Sequence, residues 1–204
     1  MSVPLLLYSD FVCPFCFIAE RSSLVRLQEE FDIVVDWRGF ELHPETPQGG
    51  MPVTALVPRS RRETMRDYLR GFAARFGVNL METPERLPNT RRALAMAEYA
   101  RDRGRLEAFR DAAMEGYWRR GENLEDDRDL HAISSRAGLD AEAALRAAAD
   151  TAYAARVDAI RAEASGKGVT GIPTFFIGEE VVVGCQPYEV LATAARRASA
   201  PSRA

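Results

Sequence analysis

Residues 4–9 form a short apolar run, Pro-Leu-Leu-Leu-Tyr-Ser, which predicts a buried strand. After Asp10-Phe11-Val12-Cys13-Pro14-Phe15-Cys16 the pattern changes. Ile18, Leu24, Val25, Leu27 and Phe31 recur at spacings that suit one buried helical face. Proline is tolerated at the first helical position because its missing N–H would be unpaired there anyway, so Pro14 is expected to open this helix with Cys13 at its start. Residues 33–40 alternate in part and are rich in valine and aromatics, which predicts a second strand. The resulting strand-helix-strand unit is long enough for a parallel crossover.

From about residue 54 to residue 165 the apolar positions follow helical spacing alone. Helices are expected over 59–76, 90–103, 106–119, 127–137 and 141–163, with Gly77, Gly104, Gly121 and Gly138 at their ends. No strand is predicted inside this block. Tyr99, Phe109, Met114, Tyr117 and Trp118 fall at spacings that mark its core. The Pro- and Gly-rich passage 44–58 and the Gly166, Gly168, Gly171 cluster read as entry and exit loops. Strand character returns at 174–177 and 181–183, joined as a hairpin across Gly178-Glu179-Glu180, followed by a helix over 188–197 and a frayed tail over 198–204. The order βαβ, helical insert, ββα defines an α/β fold. It divides the chain into a discontinuous domain, 1–53 with 166–204, and an inserted helical domain, 54–165.

Composition narrows the function classes. A chain of 204 residues with 47% apolar and 28% charged residues is an ordinary globular sequence. It has no run near the roughly 18 apolar residues of a spanning helix. With 27 basic against 30 acidic residues, a net charge of −3 argues against a nucleic-acid partner. Arg59, Arg61, Arg62, Arg66 and Arg70 cluster, but Glu63 and Asp67 interleave with them as on a solvated helix face. The first ten residues lack a basic segment and a small-residue cleavage pattern, so a cytoplasmic setting is expected. Thiols rest reduced there, and a close pair reads as catalytic or metal-binding rather than as a staple.

A Cys-x-x-Cys pair at a helix start places one sulfur among unpaired N–H groups at the positive end of the helix dipole, which favours thiolate. Cys13 is therefore the expected nucleophile. Cys16, one turn in, would resolve the mixed disulfide by attacking Cys13. Two other readings stay open at this level: half of a zinc site, or two core cysteines spaced by chance. Zinc wants about four ligands, and the remaining candidates, Cys185, His43 and His131, lack paired spacing. His43, before Pro44, suits a loop hydrogen bond, and His131 falls on a predicted helix.

Residues 9–16, the later Thr170-Gly171-Ile172-Pro173-Thr174-Phe175 and Gly184-Cys185-Gln186-Pro187-Tyr188 together resemble the DsbA-like family of the thioredoxin superfamily, in its FrnE-like branch of dithiol-disulfide isomerases. The resemblance covers nearly the whole chain and implies a thioredoxin-like fold with a large helical insertion. It implies a thiol-disulfide oxidoreductase or isomerase that works through a mixed disulfide with thiol- or disulfide-containing proteins. A redox-active disulfide takes the place of a tightly bound cofactor, and no metal is implied. It further implies that Ile172-Pro173 is cis and lies against the dithiol. Pro14, Phe15, Thr170, Gly171 and Ile172 would then meet the substrate, with Ile172 offering backbone hydrogen bonds. Proline alone makes cis inexpensive, so the chemistry is compatible.

The sequence also departs from that family. Its buried acid on the first strand is replaced by Leu7, and the nearest carboxylate, Asp10, is expected near the surface as a cap on the helix or its preceding turn. Neither Pro14 nor Phe15 stabilises a thiolate, which points to a potential below that of periplasmic DsbA. Cys185 reads as a passive buried thiol, the alternative being a third thiol that exchanges with Cys13. The chain is also similar to kappa-class glutathione transferases and 2-hydroxychromene-2-carboxylate isomerases, which use a serine nucleophile and glutathione. Asn89, Thr90 and the 170–173 loop would serve glutathione in that case. A groove that binds clients without redox chemistry is a third reading.

Overall fold

A central strand, β1 (Val3–Ser9), organises the computed structural model, which describes residues 2–79, 84–199 and 201–202. It pairs in parallel with β2 (Ile33–Gly39), from Val3 opposite Ile33 to Ser9 opposite Gly39. On its other side it pairs antiparallel with β5 (Thr174–Ile177), Leu5 facing Ile177 and Tyr8 facing Thr174. β6 (Glu180–Val183) completes the sheet in the order β2-β1-β5-β6. The hairpin turns at Gly178, whose φ of 60° suits glycine. Leu5 and Leu7 are fully buried, as a strand with neighbours on both edges requires.

The crossover between β1 and β2 is two helices, α1 (Pro14–Glu20) and α2 (Ser23–Glu30), where one was expected. The break lies at Arg21-Ser22. Ser22 leaves helical geometry at φ −135° and ψ −90°, and its hydroxyl donates to the Ile18 carbonyl. A serine that bonds a carbonyl one turn back bends the helix. Val25, expected on the buried face, is consequently 40% exposed.

Between β2 and β5 run α3 (Arg62–Arg75), α4 (Arg91–Arg101), α5 (Leu106–Arg120), α6 (Asp127–Arg136), α7 (Ala141–Ala148) and α8 (Thr151–Gly166). Gly77, Gly104, Gly121 and Gly138 all take positive φ at the expected helix ends. The helix expected over 141–163 is two helices, because Asp150 accepts from the Ala152 N–H and starts a new one. The block also carries a strand that was not expected. β3 (Met51–Pro52) pairs with β4 (Arg86–Leu87), a ladder too short to leave a period in the sequence. After α9 (Tyr188–Arg197) the tail is held rather than frayed in part: Asp32 donates to Pro201 O at 2.8 Å, and Ser202 bridges to Phe31. Residues 200, 203 and 204 of that tail lie outside the described residues.

One continuous core joins the sheet to the helical block. Phe11 stacks on Trp37 at 5.2 Å and meets Phe109 of α5 edge-on at 6.2 Å. Trp118 of α5 stacks on Phe17 at 5.9 Å and donates its indole N–H to Phe11 O at 2.8 Å. Tyr99, Phe109, Met114, Tyr117 and Trp118 are all buried, as their spacing predicted.

Asp10 differs from its expected surface place. It is fully buried, and its carboxylate accepts from the Leu42 N–H at 2.8 Å and the Thr90 hydroxyl at 3.2 Å. It ties the β1–α1 turn to the segment after β2 and to the start of α4. Cys13, not Asp10, takes the N-cap of α1. Burial is the largest influence on the Asp10 carboxyl and pushes its pKa from 3.8 up to about 7, against the hydrogen bonds from Leu42 and Thr90.

Two predictions follow from this packing. An unfolded Asp10 ionises near its ordinary pKa while the folded one keeps its proton to about pH 7, so wild-type stability is present below that window and lost as pH rises through it. Asp10→Asn should therefore gain on wild type by up to about 4 kcal/mol between pH 4 and 7 in urea unfolding; a pH-independent difference would refute the assignment. At the end of β2, a Cβ on Gly39 would meet the Leu94 side chain of α4 at 2.7 Å. Gly39→Ala should cost about 1–3 kcal/mol in the same measurement, and an unchanged midpoint would show that Leu94 moves freely.

Candidate active site

The end of β1 delivers the thiol pair. A turn closes over residues 10–13, with the Cys13 N–H donating to Asp10 O at 3.2 Å, and Cys13 caps α1 in extended geometry at φ −82° and ψ 115°. Pro14 takes the first helical turn, as expected, and the Phe17 N–H closes that turn on Cys13 O at 3.1 Å. Cys16 follows one turn later, with its thiol beside that of Cys13. Both are free thiols in this structure.

The second half of the site arrives on the loop before β5. Ile172-Pro173 is cis. Thr174 Oγ donates to Gly171 O at 2.6 Å, and the Gly184 N–H donates to Pro173 O at 2.7 Å, so the loop is braced from both sides. The Cys13 thiol donates to Ile172 O at 3.8 Å. The structure thus brings Cys13, Cys16, Ile172 and Pro173 together, while Thr170 stands exposed and Gly171 half-buried on the same loop.

Cys13 is less open than a helix start suggested, at 3% exposed, and Cys16 is fully buried. Phe15 sets its ring edge-on against Phe72 at 5.2 Å, and Pro14 and Phe15 share a cavity of about 180 Å³ with Val53, Val57, Met65 and Leu69. A second cavity of about 680 Å³ is lined by Cys185, Phe72, Phe76 and Tyr188 together with the polar Arg26 and Arg75, and by neither residue of the thiol pair itself.

Electrostatics separate the three thiols. Burial pushes the Cys16 thiol well above its ordinary value, and its neighbour Cys13 adds to the effect. Cys16 therefore holds its proton until something removes it. Burial and then the charge of Cys13 push Cys185 up to about 12; this thiol, expected to be buried, is half-buried.

Other sequence candidates are engaged elsewhere. His43 Nδ1 lies 2.9 Å from Glu45 Oε1, a loop contact of the kind expected, and His131 Nε2 lies 3.7 Å from Glu142 on the helical block. Asn89 donates to Thr46 O and accepts from the Arg91 N–H, while Thr90 holds Asp10, so both side chains kept for glutathione are committed internally. Among the described residues no group of three or more His, Cys, Asp and Glu is placed to hold a metal ion, and no helix is long and apolar enough to cross a membrane.

Sequence reading missed a buried acid. Glu20, one turn beyond Cys16 on α1, is 3% exposed and accepts from Ser9 Oγ and from Trp37 Nε1 at 3.3 Å. Its signal was a lone carboxylate at the end of an otherwise apolar helix. Leu7, where the family's acid was sought, is a fully buried core residue.

Comparison with known proteins agrees with this geometry. The probable DsbA oxidoreductase SCO1869 from Streptomyces coelicolor superposes with a TM-score of 0.84 at 30% identity, over 97% of this chain and 90% of that one. The 2-hydroxychromene-2-carboxylate isomerase of Sphingobium xenophagum is 25% identical over 87% of this chain and 90% of its own length. The cytosolic disulfide reductase DsbM from Pseudomonas aeruginosa, solved with GSH, shares the fold at a TM-score of 0.64 and 18% identity, over 95% of this chain and all of that one. The DSBA-like thioredoxin domain matches residues 5–196, and with that match running from β1 into the last turn of α9 the chain belongs to this family.

Proposed function

We propose that the protein is a thiol-disulfide oxidoreductase acting on protein disulfides, in the manner of the FrnE-like isomerases its motifs resemble. The observation that carries this reading is the Cys13 thiol held 3.8 Å from the Ile172 carbonyl with Cys16 one turn behind it. As a thiolate, Cys13 attacks one sulfur of a substrate disulfide; a new Cys13–substrate S–S bond forms and the other substrate sulfur leaves as thiolate. Cys16 then attacks Cys13, the Cys13–Cys16 disulfide forms, and the second substrate sulfur departs. Two electrons move from the thiol pair to the substrate, and the reverse sequence oxidises a dithiol.

Substrate contacts fall to the residues around the sulfurs. Pro14 and Phe15 present an apolar edge, and the loop from Thr170 through Gly171 to Ile172 offers backbone groups to an extended chain, as in strand addition. The helical block, taken as an inserted domain over 54–165, supplies α3 as the wall of the groove through Phe72 and Leu69.

A glutathione-dependent isomerase is the second reading, favoured by the 25% identity to the Sphingobium xenophagum isomerase. That chemistry has no use for a resolving thiol, and Cys16 is present.

Equilibration with defined ratios of reduced and oxidised glutathione, followed by thiol trapping and mass analysis, should show a reversible two-electron couple between Cys13 and Cys16 with Cys185 left free. In an insulin-reduction assay Cys16→Ser should stall as a mixed disulfide on Cys13, with turnover reduced about tenfold or more; unchanged turnover would end the resolving role. Glutathione-dependent isomerisation of 2-hydroxychromene-2-carboxylate that survives Cys16→Ser would favour the second reading.

A further inference from the structure

Ser9 and Glu20 remain unexplained by packing. Both are buried, Ser9 fully and Glu20 to 3% exposure, at the point where β1 and α1 meet behind the thiol pair. Glu20 follows Cys16 by one turn, so the two share a helix face. The Ser9 hydroxyl donates to Glu20 Oε1 at 2.5 Å, and the Ser9 side chain lies beside the Cys16 thiol, where it favours the charged form. Trp37 donates to the same carboxylate oxygen at 3.3 Å. Arg110, reaching in from α5 and itself buried, stands 3.3 Å from Glu20 Oε2. Arg21 adds a second positive charge next in the chain, while Arg110 also pairs with Asp111 and Glu107. Burying a carboxylate costs several kcal/mol before its partners repay it. An apolar side chain would fill this space more cheaply, as Leu7 does on the adjacent strand.

We propose that Ser9 and Glu20 form a proton relay that ionises Cys16 for the resolving step. The inference rests on the oxidoreductase reading above. Cys16 S–H passes its proton to Ser9 Oγ as the Ser9 hydroxyl proton passes to Glu20 Oε1. Cys16 is left a thiolate, Ser9 a neutral alcohol rotated toward it, and Glu20 a carboxylic acid. The thiolate attacks Cys13 Sγ of the mixed disulfide; the Cys13–Cys16 bond forms and the substrate sulfur leaves as thiolate, taking its proton from water. When the disulfide is next reduced, Glu20 returns the proton to Cys16 along the same route. Glu20 acts through Ser9 and does not touch the reacting sulfurs of the substrate. Arg110 and Trp37 position it, and the high proton affinity of buried Cys16 gives the relay its purpose.

The test separates the two chemical steps. In a Cys185→Ala background, one equivalent of 5,5′-dithiobis(2-nitrobenzoate) reports attack by Cys13 as a first release of thionitrobenzoate and resolution by Cys16 as a second. Ser9→Ala and Glu20→Gln should slow the second phase relative to the first by about tenfold or more. Their second phase should also rise with pH far more steeply than the wild-type one, because hydroxide must replace the relay. Ser9→Thr, which keeps a hydroxyl, should recover most of the ratio, and the Ser9 pair decides the matter if Glu20→Gln fails to fold beside Arg110. Wild-type ratios and pH profiles in Ser9→Ala, or a Ser9→Thr protein no faster than Ser9→Ala, would overturn the relay. A wild-type protein that releases only one equivalent would instead overturn the oxidoreductase reading on which it stands.

Discussion

Burial of the second thiol is the constraint around which the rest is arranged. A sulfur sealed among apolar side chains resists oxidation by solvent, and it also resists losing its proton, since the charged form pays the full cost of desolvation. Cys16 is fully buried and its thiol is held well above the ordinary range. A dithiol needs its second member ionised only at one moment. In the proposed relay that need falls to polar groups rather than to solvent: Ser9 from β1, Glu20 from α1, Trp37 from β2 and Arg110 from α5 converge there.

That convergence changes the meaning of the helical block. It is more than a cover for the sheet. Trp118 fixes the Phe11 carbonyl in the turn before Cys13, Arg110 balances Glu20, and Thr90 at the start of α4 holds Asp10. Helix α5 and the start of α4 thus reach the thiol turn from behind, while α3 packs Phe72 against Phe15 from the front. Because these contacts share one continuous core, displacement of α5 would be felt at the thiol pair through a hydrogen bond and an ion pair at once.

How much of this was legible in the sequence depended on the range of the interaction responsible. Strands, helix ends and the thiol-bearing turn are set by neighbours a few residues apart, and the apolar run at 4–9, the four terminal glycines and the proline after Cys13 announced them. The family motifs also announced the Ile172-Pro173 loop. The break at Ser22 came from a hydroxyl competing for a backbone carbonyl, which leaves the apolar spacing untouched and so escapes a periodicity argument. Asp10 and Glu20 were missed for a different reason. A carboxylate reads as exposed until a remote donor is known, and theirs come from Leu42, Thr90, Trp37 and Arg110. The burial of Cys13 escaped likewise, because the Ile172 carbonyl that its thiol meets lies far along the chain.

The two buried acids meet the same desolvation with different partners. Asp10 is held by an amide and a hydroxyl, both neutral, so nothing opposes desolvation strongly and its pKa climbs to about 7. Its work is mechanical, and a protonated carboxyl still ties the turn to Leu42 and Thr90. Burial raises the Glu20 carboxyl as well, but there a guanidinium from Arg110 pulls against it, together with donors from Ser9 and Trp37 that favour the charged form. The place of Glu20 at the end of α1 sets the carboxylate where α5 supplies the cation, while Leu7 on β1 packs as core.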